Sequence, residues 1–349
     1  MAEHELFDVT IVGGGPAGLY SAFYSGMRGM KTKILEYQPV LGGKVNVYPE
    51  KVVWDVGGLP PTSGEKLIAQ MVEQAMTFQP TVCLNEKVAS IIKNDAAVFE
   101  ITNDRGEVHY SKTVIMAIGG GILNPQKLEL EGAEKYEISN LHYTVKSLAR
   151  FKGKNVIISG GGNSAIDWAN ALEPIAGKVF LTYRKECPAA HEAQVDKLMC
   201  SSAECYFNTC ISKLIAEKST ENIDQVELTN VETGERSTLP IDEVIINHGY
   251  ERDKSLLESN TLKIDMIDSH FIAGDPLNHT SVPGMFAAGD IVKHDAKLNL
   301  IAGCFQDAAN AVNQAKYYIQ PEAGDRAMVS SHNEAFKEKN KKWQKKSMA

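Results

Sequence analysis

The sequence predicts an α/β protein with two Rossmann-like dinucleotide-binding domains, one inserted in the other. A strand-like apolar run, a glycine turn and a helical pattern occur twice, as TIVGGGPAGL at residues 10–19 and IISGGGNSAI at residues 157–166. The chain has 349 residues, enough for two domains. A third apolar run ends in Gly-Asp at residues 289–290. A repeated strand–turn–helix unit of this kind indicates parallel sheets covered by helices.

The first glycine turn carries the full pattern of a dinucleotide-binding fingerprint. A strand leads into Gly-x-Gly-x-x-Gly at residues 13–18, a helical stretch follows, and the next strand ends in Glu36. The glycines permit a tight turn and close approach of a pyrophosphate, and the acid can accept hydrogen bonds from ribose hydroxyls. A tight βα turn without a ligand is the alternative. The residues assigned to this site are Gly13, Gly15, Pro16, Ala17, Gly18 and Glu36.

The second glycine turn differs at the end of its following strand. The turn at residues 160–165 has alanine in third place, and the next strand ends in Arg184 and Lys185 instead of an acid. An arginine can bind a 2′-phosphate with two parallel hydrogen bonds, so this turn is expected to prefer NADP(H) over NAD(H). Solvated loop charges are the alternative. The residues assigned to this site are Gly160, Gly162, Asn163, Ser164, Ala165, Arg184 and Lys185.

Two turns followed by opposite charges indicate two different dinucleotides, and FAD and NADPH are the simplest pair. The segment SVPGMFAAGDIV at residues 281–292 resembles the second FAD motif of two-dinucleotide flavoproteins, in which the aspartate, here Asp290, binds the ribitol chain. The next helix is expected to begin near Ala302 or Gly303, with its N–H groups toward the pyrimidine edge of the flavin. An ordinary turn aspartate is the alternative.

Two further strands that end in glycine mark the domain boundaries. They are TVIMAIGGG at residues 113–121 and EVIINHGYERD at residues 243–253. We therefore predict a discontinuous FAD-binding domain at 1–118 and 249–349, with an NADP(H)-binding domain at 119–248 inserted in it.

Composition narrows the function classes. The net charge of −8 argues against a general nucleic-acid binder, and no apolar run approaches the ~18 residues that span a bilayer. The acidic N-terminus enters a strand at once and resembles neither a signal nor a transit peptide, so a cytoplasmic protein is expected. The six cysteines form no C-x-x-C motif, which favours reduced thiols.

The order and size of these segments resemble the thioredoxin-reductase-like flavoproteins over the whole chain. Within that group, LGGKVNVYPEKVVWDVGGLP (41–60), GGGNSAIDWA (160–169) and YRKECPAAHE (183–192) resemble the ferredoxin–NADP reductases of the thioredoxin-reductase-like type. The resemblance implies a homodimer with FAD and NADP(H). It also implies hydride transfer from NADPH to FAD and release of single electrons to ferredoxin or flavodoxin.

Departures from the relatives separate the possible activities. Thioredoxin reductases carry C-x-x-C shortly before the second glycine turn, where this chain has no cysteine at residues 139–156. Bacillithiol-disulfide-reductase-like proteins have a cysteine in the first glycine turn, where this chain has Ala17. Electrons are therefore expected to leave directly from the flavin. A disulfide or small-electrophile reductase using Cys304 and a non-enzymatic dinucleotide sensor remain as alternatives.

The resemblance also assigns residues outside the glycine turns. Tyr48 is expected to cover one face of the flavin and His332, in a C-terminal extension, the other; an exposed tail histidine is the alternative. A lysine-rich tail at residues 337–346 is either a solvated helix end or a docking site for an acidic partner. Further residues that the resemblance assigns to FAD are Gly43, Lys44 and Val88.

Five other residues have open roles. Trp54 and Asp55 lie near the expected flavin site without an assigned function. His142 is expected to pack beneath the second glycine-turn domain. His191 and the following Glu192 either help to hold the adenosine end of NADP(H) or cap a helix.

Overall fold

A computed structural model describes residues 5–217, 221–253, 255–258 and 262–347. The helices are α1 (Pro16–Met27), α2 (Gly64–Ala75), α3 (Asn163–Leu172), α4 (Glu192–Met199), α5 (Ser255–Glu258), α6 (Ile301–Ile319) and α7 (Lys337–Ser347). The strands are β1 (Leu6–Val12), β2 (Thr32–Leu35), β3 (Val52–Val53), β4 (Thr62–Ser63), β5 (Thr81–Cys83), β6 (Val88–Lys93), β7 (Phe99–Asn103), β8 (Val108–Met116), β9 (Ile122–Pro125), β10 (Leu141–His142), β11 (Asn155–Ser159), β12 (Lys178–Tyr183), β13 (Glu204–Phe207), β14 (Thr209–Ile215), β15 (Gln225–Asn230), β16 (Arg236–Pro240), β17 (Glu243–Ile246), β18 (Tyr250–Asp253), β19 (Met266–Ile267), β20 (Phe271–Ala273), β21 (Met285–Ala287) and β22 (Val292–Lys293).

The chain divides into two compact units. The first comprises Met1–Ile122 and Arg252–Ala349, and the second comprises Leu123–Glu251. The chain therefore leaves and re-enters the first unit within a few residues of the predicted boundaries at 118 and 249.

The first unit is built on a sheet in the order β5-β2-β1-β8-β7-β6, with β21 beside β8. Strand β1 pairs in parallel with β2 on one side and β8 on the other. Its residues from Val9 onward are buried, because helices and loops cover both faces of a parallel sheet. The small residues of α1 and α6 share one core with β1, among them Ala22, Ala311 and Ala315.

The second unit repeats this arrangement with a shorter sheet. Its five strands have the order β10-β17-β11-β12-β13 and all pair in parallel. A three-stranded antiparallel sheet, β14-β15-β16, precedes β17 in the chain. Strand β11 lies between β12 and β17, as β1 lies between β2 and β8. In each unit the chain order therefore reverses beside the strand that precedes a glycine turn, which is where open α/β sheets bind ligands.

The described residues contain no helix that is both long and apolar enough to cross a membrane.

A buried carboxylate organises the end of the second sheet opposite to the glycine turn. The side chain of Glu243, at the start of β17, is only 2% exposed. Its Oε2 lies 2.6 Å from His142 Nε2 and 3.4 Å from Arg150 Nε, and the ammonium of Lys154 binds Oε1. The ring of His142 also contacts Phe151 edge-on. The predicted packing role of His142 is confirmed, and the ring bonds an acid that the sequence analysis had not singled out.

Replacing this carboxylate is expected to destabilise the protein in a pH-dependent way. Burial would raise the pKa of Glu243, but hydrogen bonds from His142 and Lys154 outweigh burial and hold the pKa below its ordinary value of 4.5. Glu243→Gln should lower the free energy of unfolding by about 2 kcal/mol at pH 7, since its cationic partners are partly exposed and can regain water. Urea unfolding of the two proteins measures the difference.

The sign of the pH effect follows from the lowered pKa of Glu243. A carboxyl with a lower pKa in the folded than in the unfolded chain stabilises above its unfolded pKa, and this stabilisation is lost as pH falls through its folded pKa. The difference between the two proteins should therefore shrink below about pH 4.5. Glu232→Gln, at an exposed position, is the control. A difference that stays constant down to pH 3 would contradict this account.

Candidate functional site

The first and third glycines of the first turn are required by the packing of the protein itself. Gly13 has φ of +107°, and a Cβ added there would lie 2.4 Å from the carbonyl oxygen of Ala117. A Cβ added at Gly18 would lie 1.9 Å from the carbonyl oxygen of Gly13. Strand β8 and helix α1 therefore approach the turn as closely as glycine allows.

The second glycine of this turn leaves space instead. Gly15 is the N-cap of α1 at an ordinary φ of −78°, and a Cβ there would meet nothing closer than the Cα of Gly43 at 3.6 Å. No side chain caps the helix, and Pro16 has no N–H to satisfy. The N–H groups of Ala17 and Gly18 lie in its first turn, where a helix attracts an anion. This cradle fits a pyrophosphate.

Glu36 directly follows β2 beside this turn. Its Oε2 accepts a hydrogen bond from the N–H of Gly14 at 2.5 Å, and its Oε1 accepts one from the N–H of Gln38 at 2.7 Å. Burial raises the pKa of Glu36, while these backbone hydrogen bonds favour the carboxylate. The acid is therefore held in place beside the glycine turn, where its oxygens can accept hydrogen bonds from ribose.

Gly43 packs against the same turn. It has φ of +57°, and a Cβ there would lie 2.8 Å from the Cα of Gly15. Lys44 follows it and is exposed. This close backbone contact brings the segment that carries Tyr48 to the first glycine turn.

Three other predicted residues come together in the first unit. Burial raises the pKa of Tyr48, and the negative charges of Asp290 and Asp55 raise it further, so both acids lie near the phenol. Asp290 follows Gly289, which has φ of +81° and contacts α1, since a Cβ at 289 would lie 2.9 Å from the Cβ of Ala17. The segments 43–55 and 289–290 therefore meet beside the first glycine turn.

Residues 289–290 form a bend in the chain, called the corner from here on. Helix α6 follows the corner and begins at Ile301, one residue before Ala302, the earlier of its two expected starts. No side chain caps its N-terminus. Cys304 is buried in its first turns, its thiol donates to the carbonyl oxygen of Ile301, and burial raises its pKa to about 12. Such a thiol is almost entirely protonated at neutral pH and is a poor nucleophile. All six cysteines are free.

Three residues that the sequence places near the flavin lie outside the group formed by Tyr48, Asp55 and Asp290. Val88 is a buried residue of the same core cluster as Leu35, so its side chain packs in the core and only its backbone is left for a cofactor. Trp54 is exposed. His332 is also exposed, with Nδ1 3.1 Å from Ser331 Oγ, and within the described residues no ring contact joins it to Tyr48.

The second glycine turn, in the second unit, also combines a tightly packed first glycine with open space at its middle glycine. Gly160 has φ of +149°, and a Cβ there would lie 2.4 Å from the carbonyl oxygen of Asn247. A Cβ at Gly162 would have no neighbour within 4 Å, and no side chain caps α3. A Cβ at Gly160 would also crowd the Cβ of Ala165 at 3.2 Å, so the alanine in third place packs directly against this glycine. This turn fits a second pyrophosphate.

The loop after β12 folds back on the second glycine turn. The N–H of Ala189 donates to the carbonyl oxygen of Gly161 at 2.7 Å, and the N–H of His191 donates to Asn163 Oδ1 at 2.9 Å. His191 is the N-cap of α4, but its side chain makes no capping hydrogen bond. The basic loop is therefore anchored beside the start of α3.

The cations of this loop are available to a ligand. Arg184 and Lys185 are exposed, and neither forms an ion pair within the described part of the chain. Ser164, in the first turn of α3, is exposed as well. Unpaired cations beside a helix N-terminus fit a 2′-phosphate.

His248 is a further candidate residue beside the second glycine turn, and the sequence analysis does not single it out. It follows β17, and its Nε2 lies 2.8 Å from Ser159 Oγ, the last residue of β11 before the second glycine turn. Burial lowers the pKa of His248, and the charge of Arg184 lowers it further, against the opposing charge of Glu129. The signal for it in the sequence is a histidine close behind an apolar run, the same run that predicts the second domain boundary.

The comparisons with known proteins agree with this geometry. Residues 7–315 match the family described as pyridine nucleotide-disulphide oxidoreductase. The chain belongs to this family. A curated relative from Bacillus mycoides named ferredoxin–NADP reductase 1 is 65% identical over 348 residues, which is 100% of both chains. One of the same name from Oceanobacillus iheyensis is 66% identical over 97% of each chain.

Solved structures share the fold of this family member. The thioredoxin reductase of Lactococcus lactis matches with a TM-score of 0.70 at 25% identity, over 90% of this chain and 99% of that one. The bacillithiol disulfide reductase of Staphylococcus aureus matches with a TM-score of 0.65 at 22% identity, over 90% and 99%. The predicted resemblance, the α/β fold class and the oxidoreductase class with FAD and NADP(H) as cofactors are confirmed.

Two alanine substitutions separate the roles of the glycines in the second turn. Gly162→Ala should change the free energy of unfolding by less than about 1 kcal/mol, since a Cβ fits there. It should raise the Kd for NADP+ by about tenfold or more, since the added methyl group occupies the path of the pyrophosphate. Thermal unfolding and titration calorimetry measure the two effects.

Gly160→Ala is the matched control, and its main effect should be on stability instead of on binding. Its Cβ would meet the carbonyl oxygen of Asn247 at 2.4 Å, so it should destabilise the fold by about 3 kcal/mol. Unchanged NADP+ binding by Gly162→Ala would show that the ligand does not approach the turn at this residue.

Proposed function

We propose that this protein is a ferredoxin–NADP+ reductase that passes electrons between NADPH and ferredoxin, or flavodoxin, through FAD. The observation that carries the proposal is the pair of glycine turns with opposite charges, Glu36 beside the first and Arg184 with Lys185 beside the second. Full-length relatives at about two-thirds identity carry this name. The first unit is proposed to bind FAD and the second NADP(H).

The first unit is proposed to hold FAD through groups that the fold has already oriented. The N-terminus of α1 binds the pyrophosphate, Glu36 binds the adenosine ribose, and Asp290 binds the ribitol chain. When bound, FAD supplies the chemistry of accepting a hydride and giving up single electrons. Tyr48 is proposed to cover one face of the flavin, and its raised pKa keeps the phenol neutral.

His332 is proposed to act at the other flavin face, although it is exposed in the single chain. The segment that carries it is anchored to its own unit, because Asn333 Nδ2 donates to the carbonyl oxygen of Met27 at 3.3 Å. A homodimer is part of the proposal and rests on the family resemblance. A cytoplasmic location is also part of the proposal.

The second unit is proposed to select NADP(H). The N-terminus of α3 binds the pyrophosphate, with Asn163 and Ser164 in its first turn, and Arg184 with Lys185 binds the 2′-phosphate. The neutral imidazole of His248 lies at the end of β17, on the other side of the turn from Arg184, and adds no charge there.

A disulfide reductase is a weaker proposal. The segment before the second glycine turn has no cysteine, and Cys304 is a buried thiol with its pKa raised to about 12. A thiolate that attacks a disulfide needs a low pKa and access to its substrate. Direct exit of electrons from the flavin therefore has the better structural support.

The first test is NADPH-dependent reduction of cytochrome c by the purified protein, with and without ferredoxin. Ferredoxin should stimulate the rate strongly and NADPH should be preferred over NADH. Arg184→Ala/Lys185→Ala should raise the KM for NADPH by about tenfold or more and leave that for NADH unchanged, because two charge-assisted contacts are lost. Lys213→Ala, an exposed lysine of the same unit, is the control.

Each alternative outcome has a definite meaning. Bleaching of the flavin by NADPH without stimulation by ferredoxin or flavodoxin would reject the acceptor. New thiols after NADPH addition would favour the disulfide reductase. Bound nucleotides without turnover would favour a sensor.

The C-terminal helix is proposed as the docking site for the acidic acceptor. Residues 337–346 contain six lysines and one glutamate in a chain of net charge −8. Lys337 pairs with Glu334 and Lys341 with Glu338, but Lys339 makes no ion pair within the described residues. Ferredoxins are typically acidic, so a local positive surface would steer their approach.

The segment that leads into this helix is attached to the first unit. The ring of Phe336, one residue before α7, lies 5.2 Å from that of Phe78 and 6.2 Å from that of Phe23 on α1. The N–H of Ala327 also donates to the hydroxyl of Tyr24 at 3.3 Å. The lysines therefore start from a fixed point on the FAD-binding unit.

Reversing two of these charges should weaken the use of ferredoxin. Lys339→Glu/Lys342→Glu should raise the KM for ferredoxin by about tenfold at low salt, and the difference should shrink at 0.5 M salt, where screening is strong. Lys66→Glu/Lys263→Glu, on exposed lysines elsewhere in the unit, is the matched control. Equal effects of the two double variants would show that only net charge matters.

A further inference from the structure

The first unit contains a buried ion pair that no glycine motif explains. The side chains of Lys297, in the loop after β22, and Asp307, on α6, are only 6% and 9% exposed. Lysine is rarely buried to this degree unless it is paired. The pair therefore marks a place where the fold holds two charges out of water.

The pair is bonded to the corner that carries Asp290. Asp307 Oδ2 accepts a hydrogen bond from the N–H of Gly289 at 3.0 Å, and the same oxygen binds the ammonium of Lys297. Gly289 is the residue before Asp290. One carboxylate oxygen thus ties the corner, the following loop and α6 together.

The corner is fixed from its other side as well. Gly289 has φ of +81° and packs against the first turn of α1, where a Cβ would lie 2.9 Å from the Cβ of Ala17. Asp290 itself is exposed and forms no ion pair within the described residues. Backbone contacts, and not its own side chain, therefore decide where Asp290 lies relative to the first glycine turn.

The charges of the pair lie close to the same corner. The positive charge of Lys297 and the negative charges of Asp307 and Asp290 all act on the buried thiol of Cys304, which is on α6. As long as Lys297 and Asp307 stay paired, their charges cancel at a distance. Loss of either partner would leave one buried charge beside the corner.

We propose that Lys297 and Asp307 form a positioning pair for Asp290, and that the pair sets both the affinity for FAD and the reduction potential of the bound flavin. This inference rests on the proposed assignment of FAD to the first unit. Under this proposal, Lys297 and Asp307 do not contact FAD themselves. They act on it through the corner that they hold in place.

Three variants of the full-length holoprotein test the affinity. Asp307→Asn keeps an acceptor for Gly289 but leaves the lysine unpaired, and Lys297→Met leaves the aspartate unpaired. Each should raise the Kd for FAD by about tenfold or more. The double variant should return to within about threefold of the wild type, since no buried charge is left alone. Fluorescence of FAD released on serial dilution gives the Kd.

The reduction potential separates positioning from simple stabilisation. Asp307→Asn leaves a positive charge and should raise the potential, whereas Lys297→Met leaves a negative charge and should lower it. Loss of stability alone would not produce shifts of opposite sign. Asp8→Asn is the control, because it breaks an ion pair with Lys112 at the far end of β1 from the glycine turn. It should lower the melting temperature without changing the Kd for FAD.

The outcomes are distinguishable. A wild-type protein that binds no FAD would overturn the proposed function. A wild-type protein that binds FAD, with both single variants within twofold of its Kd and its potential, would overturn only the positioning role.

Discussion

Both candidate sites depend on the close approach of a glycine to the backbone of the neighbouring strand. Gly13 lies against the carbonyl of Ala117 and Gly160 against that of Asn247, at distances that exclude any side chain. This contact brings each turn to the end of its central strand and points the uncapped N-terminus of the next helix at the same place. The middle glycine of each turn then leaves open the space in which a pyrophosphate can lie.

The two sites differ in how completely the protein has built them. Glu36 is buried and already accepts two backbone hydrogen bonds, and Tyr48 lies near Asp55 of its own segment and Asp290 of a distant one. By contrast, the side chains of Arg184 and Lys185 are exposed, on a loop whose far end is anchored to the turn through Ala189. A preformed site suits a cofactor that stays bound, and an open site with free cations suits one that must exchange in every cycle.

Two features bear on how electrons leave the flavin: the lack of a reactive dithiol and the presence of a lysine-rich helix. A buried thiol with a pKa of about 12 cannot replace the dithiol of the thioredoxin reductases. The tail adds a lysine-rich helix, fixed to the first unit by the ring of Phe336. A flavin enzyme without a thiol relay needs a surface that brings an acceptor close, and this helix has the charge for an acidic one.

The sequence alone determined the fold class, the two glycine turns and the charge that distinguishes them, because these features follow from local spacing and residue type. It also placed the start of α6 within one or two residues. Tertiary structure alone decided that Gly289 packs on Ala17, that Lys297 pairs with Asp307, and that His248 lies beside Ser159. Such contacts join residues that are distant in the chain, and a single sequence carries no periodic signal for them. The tertiary structure likewise showed that Val88 is a core residue and that Cys304 is buried, since burial is a property of the packed chain.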